Sequence, residues 1–263
     1  MVPRGRLLLS SMLALATLLA ACSAAAPSAQ TIDIASNIAF EDDESFVYSL
    51  TNDIGDVIGS GVFETTRVDG GRLLLRQFYL EADTPEGLVP TSDVVIVEVD
   101  AATLRPLSGS RDIVTRGSDG TIEEETYRWT YEEDDEGVVR VSSTLTRGDR
   151  EPERGSFEVR DHYYDNESSL WLWRTLAFVE EYDEFYVSVN PIEVTQQTVN
   201  LRVPMRQTIE VPAGTFDTWR ILLRNGRSVR TAWINADAPY QVVQWDNGVV
   251  IFRLEQSLDS LLN

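Results

Sequence analysis

Carboxylates are the commonest reactive groups in this sequence, and four clusters hold them close together: Glu41 to Glu44, Glu123 to Glu125, Glu132 to Glu136, and Glu180, Glu181, Asp183 and Glu184. Hydrolysing a glycoside needs two carboxylates facing each other across a cleft. Runs of like charge along a loop read instead as solvated faces. Glu132 to Glu136 has oxygens enough for calcium but lacks the ligand spacing of an EF-hand loop. His162, in Asp161-His162-Tyr163-Tyr164, is the only histidine. A Ser-His-Asp triad would have to use it, yet no Gly-x-Ser-x-Gly opens a helix. A lone His beside Tyr at a strand end reads as a hydrogen-bonded structural residue. One histidine and one cysteine would leave zinc an almost purely carboxylate site, which it rarely accepts. These residues point away from an enzyme, and they imply neither a cofactor nor a resident metal.

The stretch Val211 to Trp219, "VPAGTFDTW", raises a further chemical possibility, because glycine in a short loop can cradle a phosphate. Such a cradle needs several glycines or backbone amides opening a helix. Here Pro212 suits the second position of a turn, and Gly214 supplies the left-handed residue that closes a bulged hairpin. Thr208 to Val211 and Phe216 to Arg220 are its arms. The loop reverses the chain between two strands.

At the N-terminus, Arg4 and Arg6 precede an apolar run, Leu7 to Leu19, which is too short for a stable spanning helix. It ends in Leu19-Ala20-Ala21-Cys22, the pattern of a bacterial lipobox. Residues 1–21 are read as a lipoprotein signal peptide and Cys22 as the lipidated first residue. Residues 22–36 are the lipidated cysteine and a flexible tether rich in Ala, Ser and Pro. Residues 37–263 are read as a single β domain. Two or more acyl chains on Cys22 would anchor the protein stably to a membrane. This places it outside the cytoplasm, on the outer membrane if there are two, since Ser23 rather than Asp follows the cysteine. With no second cysteine, stability cannot come from disulfides.

The formal charge is −21, and every basic residue is Arg. Nucleic acid is excluded as a partner, because binding it requires a basic footprint. A basic patch cannot hold the chain on an anionic membrane either, so the acyl group must do so.

Most of the chain reads as short strands. Val57 to Val68, Arg72 to Ala82 and Val94 to Val99 lead the series, with Asp69-Gly70-Gly71 as a hairpin turn. Leu107 to Thr115 is polar and suits a sheet edge. Thr121 to Tyr131 alternates strictly, with Tyr127, Trp129 and Tyr131 on one face. Val138 to Thr146 pairs with it. Six runs follow in the C-terminal third: Glu193 to Val203, Met205 to Val211, Phe216 to Leu223, Arg227 to Asn235, Tyr240 to Trp245 and Val249 to Leu254. Pro204, Asn225-Gly226 and Asn247-Gly248 are among their dividers. Short strands at this spacing make an antiparallel meander.

Leu170 to Phe178 breaks the pattern. Asp165 can cap a helix start, and Glu167 complements its dipole. On a helix, Leu170, Leu172, Trp173, Leu176 and Ala177 form one wide apolar face, with Trp171 and Phe178 on another side. A helix apolar nearly all round is buried or lines a cavity; a strand is the competing reading. The tryptophans 129, 171, 173, 219, 233 and 245 can all be core. The functional reading selects Trp171, Trp173, Phe178 and Trp129 as candidate lining of a hollow for an apolar ligand.

Two segments carry a resemblance to a known family. "VPAGTFDTWRI" together with "YDNESSLWLWRTLAF", Tyr164 to Phe178, resembles the bacterial domain-of-unknown-function family 3108. "WINADAPYQVVQ", Trp233 to Gln244, is also similar, and the likeness covers Phe46 to Gln256. The family in turn resembles the LolA and LolB lipoprotein carriers, in which a curved antiparallel sheet wraps a helix plug around an apolar hollow. Trp173 departs from the family pattern, where Leu is commoner. The resemblance implies the fold and carries no functional residue with it.

The expected architecture is a mainly β domain, a curved antiparallel sheet forming a half-open barrel around one short helix. Two roles fit it. One is a non-enzymatic module that binds or carries an apolar, lipid-like ligand at the cell envelope. The other is a structural or protein-interaction lipoprotein whose interior is simply packed. A cavity of about 300 Å³ or more under Trp171 would favour the first.

Overall fold

Turn residues divide the chain into extended segments, and almost every segment pairs with its neighbours in sequence. The computed structural model describes residues 29–40, 43–82, 91–117, 119–226 and 228–257; residues 1–21, read above as a signal peptide, and Cys22 lie outside them. Among the described residues the strands are β1 (Asp43–Thr51), β2 (Val57–Val68), β3 (Arg72–Glu81), β4 (Ser92–Asp100), β5 (Pro106–Arg116), β6 (Ile122–Glu133), β7 (Val139–Arg147) and β8 (Glu153–Glu158). Then come β9 (Tyr163–Asp165), β10 (Tyr182–Asn190), β11 (Thr195–Val211), β12 (Gly214–Asn225), β13 (Ser228–Asn235), β14 (Val242–Asp246) and β15 (Ile251–Ser257). They form one curved sheet in the order β8-β7-β6-β5-β4-β3-β2-β1-β15-β14-β13-β12-β11-β10-β9. All pairings are antiparallel except β9 with β10. The first strand lies against the last, so two meanders meet at β1 and β15.

The period of two sets the core. On β4, Asp93, Val95, Val97 and Val99 are buried, while the residues between them are partly exposed. Tyr48 and Leu50 on β1, Leu73 and Leu75 on β3, and Tyr127 and Trp129 on β6 continue the same inner face. The one-faced aromatics of Thr121 to Tyr131 thus point inward, Tyr131 less completely buried than the others.

The hairpin at "VPAGTF" is present: Val211 pairs with Gly214, whose φ is 130°, and the Ala213 N–H reaches across to the carbonyl of Leu254 at 3.0 Å. Two expectations about strands change. Leu107 to Thr115 is not an edge, because β5 is paired on both sides, to β4 and β6. Pro204 does not end a strand. β11 runs 17 residues through it, and the ladder with β12 shifts register between Arg202 and Met205, where a residue without an N–H is tolerated.

The sheet stays open between its edge strands β8 and β9. Side chains span the opening in place of a backbone ladder. Gln196 donates through Nε2 to the Glu158 carbonyl (2.8 Å) and accepts from the Arg160 N–H (3.0 Å). Arg160 also donates to the Thr198 hydroxyl (3.1 Å). Gly155 on β8 lies so close to Val194 that a Cβ there would stand 2.6 Å from a methyl carbon.

The plug is shorter than its apolar pattern predicts. It comprises a 3-10 turn (Asn166–Ser168), a single α-helical turn α1 (Ser169–Leu172) and a second 3-10 turn (Trp173–Thr175). Leu176 is already extended and Ala177 is exposed, so Ala177 leaves the expected apolar face. The helix ends here because other groups claim its backbone. The Thr175 hydroxyl donates to the Leu172 carbonyl, and the N–H groups of Ser36 and Asn37 bind the Thr175 carbonyl. Every residue from Ser168 to Leu176 is buried.

Candidate functional site

Between the plug and the inner face of the sheet lies a cavity of about 360 Å³. Its apolar wall is made by Leu50 of β1, Trp245 of β14, Phe252 of β15, and Leu170 and Trp173 of the plug. The rings of Trp173 and Trp245 meet at 4.7 Å between centroids, tilted by 52°. Trp173 Nε1 donates to the Tyr186 hydroxyl at 3.4 Å. Burial pushes the Tyr186 hydroxyl up to about 12, against the pull of that hydrogen bond.

A charged cluster stands at the wall formed by β3, β4 and β5. Arg111 reaches Asp93 with two prongs, Nε to Oδ1 at 2.9 Å and Nη2 to Oδ2 at 2.6 Å. Its Nη1 lies 3.6 Å from a Glu167 carboxylate oxygen. Burial raises the Glu167 carboxyl above its ordinary range, and the Arg111 charge opposes the rise. Gln77 donates to the Glu167 carbonyl and accepts from the Tyr79 hydroxyl, whose proton burial and the Asp93 charge hold well above its usual range.

Two anchors fix the plug. Asp165 is wholly buried and caps the first turn, its Oδ1 accepting from the Glu167 N–H at 2.8 Å. Its Oδ2 accepts from Trp129 Nε1 and from the Tyr131 hydroxyl, both at 2.8 Å. Burial, with the Glu167 charge adding, raises this carboxyl to about 7, while the three donors restrain it. At the other end Arg174 pairs with Glu44 and donates to the carbonyls of Pro239 (2.9 Å) and Tyr240 (3.2 Å). Glu44 also accepts from Thr65, which in turn accepts from Trp171 Nε1 at 2.7 Å.

The four aromatic candidates therefore separate. Trp173 lines the cavity. Trp171 does not: it is buried behind the plug, 5.7 Å from the Phe63 ring and bonded to Thr65. Trp129 is pinned to Asp165 beneath Gly109 and holds the cap. Phe178 is partly exposed and stacks on Trp219 at 6.0 Å, outside the cavity. A helix wheel could not separate Trp171 from Trp173, because the enclosing sheet buries the plug on every side. Glu44, read as part of a solvated acidic run, is buried against Arg174. The polar cavity residues Asp93, Arg111 and Arg230 were missed, although each falls in phase with inward neighbours on its strand.

The chemistry outside the cavity is modest. His162 has φ 59° and its Nδ1 lies 3.2 Å from Asp33 Oδ1. In the acidic loop, Asp134 Oδ1 accepts the N–H groups of Glu136 (3.0 Å) and Val138 (2.9 Å), as a turn-forming side chain does. Among the described residues there is no group of three or more His, Cys, Asp or Glu placed to hold a metal.

Three solved structures are similar to this chain. A β-barrel-like protein of domain of unknown function DUF1849 from Brucella abortus shares 10% identity, with a TM-score of 0.48 over 82% of this chain and 96% of the other. A protein described as exported, with a YmcC-like fold, from Bacteroides fragilis shares 8%, with a TM-score of 0.32 over 85% and 98%. A protein described as a lipoprotein from Parabacteroides distasonis shares 10%, with a TM-score of 0.32 over 87% and 100%. No curated protein matches the sequence. The family described as "Protein of unknown function (DUF3108)" matches residues 47–251, from within β1 to the first residue of β15 and including the plug, and the chain belongs to that family.

Proposed function

We propose that this domain binds an apolar, lipid-like ligand in the cavity beside the plug, and that it does so without catalysing a reaction. The observation that carries the reading is the hollow of about 360 Å³, one wall of which is apolar, made by Leu50, Leu170, Trp173, Trp245 and Phe252, with polar residues such as Gln77, Asp93 and Arg111 lining much of the rest. A well-packed interior leaves few voids larger than a water molecule, whereas ligand pockets begin at about 300 Å³. The resemblance expected between the DUF3108 family and the LolA and LolB carriers favours the same role. The lipobox supports a place outside the cytoplasm, with Cys22 tethering the domain to a membrane.

Purification from the membrane fraction, organic extraction and mass spectrometry test the reading. A lipid recovered in stoichiometric amount is the expected result. A protein that yields no lipid and binds no acyl probe would be the packed structural alternative. Cys22→Ala should release the protein from the membrane fraction without changing its ligand.

A further inference from the structure

The charges facing the cavity are not all matched. Arg111 is answered by Asp93 through two hydrogen bonds and by Glu167 at 3.6 Å. Arg230 also lines the cavity, at its solvent-exposed mouth, and among the described residues no carboxylate or hydrogen-bonding group partners it. Its direction follows from strand phase. Ala232 and Ile234, two and four residues on, are fully buried on the inner face of β13. Its cross-strand partner is Leu223, which also lines the cavity. The Arg230 charge is felt by the buried Tyr186 hydroxyl, whose pKa it lowers against the larger effect of burial. A guanidinium at the mouth of a cavity, answered by water and by no protein carboxylate among the described residues, is free to bind an anion with two parallel hydrogen bonds.

Resting on the reading of the cavity as a ligand site, we propose that its ligand is a single-chain amphiphile with an anionic head, the head on Arg230 and the chain against Trp173, Trp245 and Phe252. One chain rather than two follows from the volume, which lies near the lower limit for ligand pockets, about 300–1,000 Å³. The head belongs at the Arg230 end because Asn225, Ser228 and Asn247 line the cavity there, from the ends of β12 and β13 and the turn after β14, and can complete its hydrogen bonds. The acids do not compete for this position. Asp93 is neutralised by Arg111, Glu167 faces the same guanidinium at 3.6 Å, and β4 stands six strands from β13 along the sheet. A fatty carboxylate and a lysophospholipid phosphate share this chemistry.

The test uses the full-length, delipidated protein and three probes of equal chain length: laurate, 1-dodecanol and lauroyl lysophosphatidate. Binding is followed by calorimetry with the wild type, R230Q and the cavity-filling L170W. Laurate or the lysophosphatidate should bind at least tenfold more tightly than dodecanol, and R230Q should erase that difference while leaving dodecanol binding unchanged. Whichever anion binds more tightly identifies the head group. If all three bind alike and R230Q changes nothing, the anionic assignment is overturned and the apolar cavity reading stands. If L170W leaves binding intact, or no probe binds, both fail.

Discussion

The Glu44 carboxylate and the Arg174 guanidinium form a two-pronged ion pair across 130 residues of sequence, each side chain only 4% exposed. It joins the start of the sheet to the end of the plug. Arg174 has few unsatisfied donors, because two backbone carbonyls take the rest of its fork and the Phe40 and Phe46 rings lie under its charge at 4.7 and 5.3 Å. Removing one partner of a buried pair strands the other charge, at a cost of about 3–5 kcal/mol. Glu44→Ala should therefore lower the free energy of unfolding by an amount of that order, read as a fall in the denaturant midpoint at unchanged m. Replacing both, as Glu44→Leu with Arg174→Met, should cost less than the sum of the single changes. An additive double-mutant cycle would show that the two charges are not coupled.

Neither the pair nor its depth could be read from local spacing. Glu44 sits in a run of four acids, and Arg174 follows an apolar stretch, so each reads as a surface charge until β1 and the plug are brought together. The same acidic screen hid β1 itself, and Glu180 to Glu184 hid the start of β10. By contrast, strands separated by Gly or Asn-Gly were legible. β2 begins and ends where its alternation does, and β12 and β13 are joined at Asn225-Gly226, with Gly226 at φ 57°. The site was legible only in Trp173. Trp171 and Phe178 were chosen from a helix and Trp129 from a strand face, but the cavity is lined mainly by other strands, whose inward residues include charges that sequence alone assigns to solvent.

Asp165 should make stability depend on pH. Its carboxyl titrates near 7 in the fold, against an ordinary value of 3.8. The folded protein then binds the extra proton between those values, so stability is fully present below about pH 4 and is lost as pH rises through 7. Asp165→Asn should flatten this fall between pH 5 and 8. It should also lower stability by about 1–3 kcal/mol at pH 5, because an amide nitrogen at the Oδ2 position cannot accept from Trp129 and Tyr131. Glu167 shifts in the same direction and remains in the variant, so the comparison is the difference in slope between wild type and variant. Unfolding curves with equal slopes would remove Asp165 as the source.

Gly109 gives Trp129 the room it occupies. A Cβ at this position would stand 2.3 Å from the indole ring, which cannot swing away without losing its hydrogen bond to Asp165. Gly109→Ala should cost about 1–3 kcal/mol through overpacking. It should also change the near-ultraviolet circular dichroism of the tryptophans. Gly55, where nothing lies within 4 Å of a Cβ but φ is 93°, separates backbone strain from crowding. Gly55→Ala should destabilise without altering the aromatic spectrum, and an altered spectrum there would assign the signal to global loosening.

Gln196 holds the open side of the sheet by side-chain bonds to the Glu158 carbonyl and the Arg160 N–H. These two bonds stand where a closed barrel would have a ladder, so their loss frees the edge without breaking strand pairing elsewhere. A hydrogen bond of this kind contributes about 0.5–1.5 kcal/mol net, and β8 has one partner strand, β7, to retain it. Gln196→Ala should therefore speed amide exchange in Glu153–Glu158 and at Arg160 while leaving β1 and β15 protected. Local opening of this sort has a free energy below that of global unfolding. Equal acceleration in β8 and β1 would mean that the seam is coupled to the whole sheet, and no acceleration at all would mean that β7 alone holds the edge.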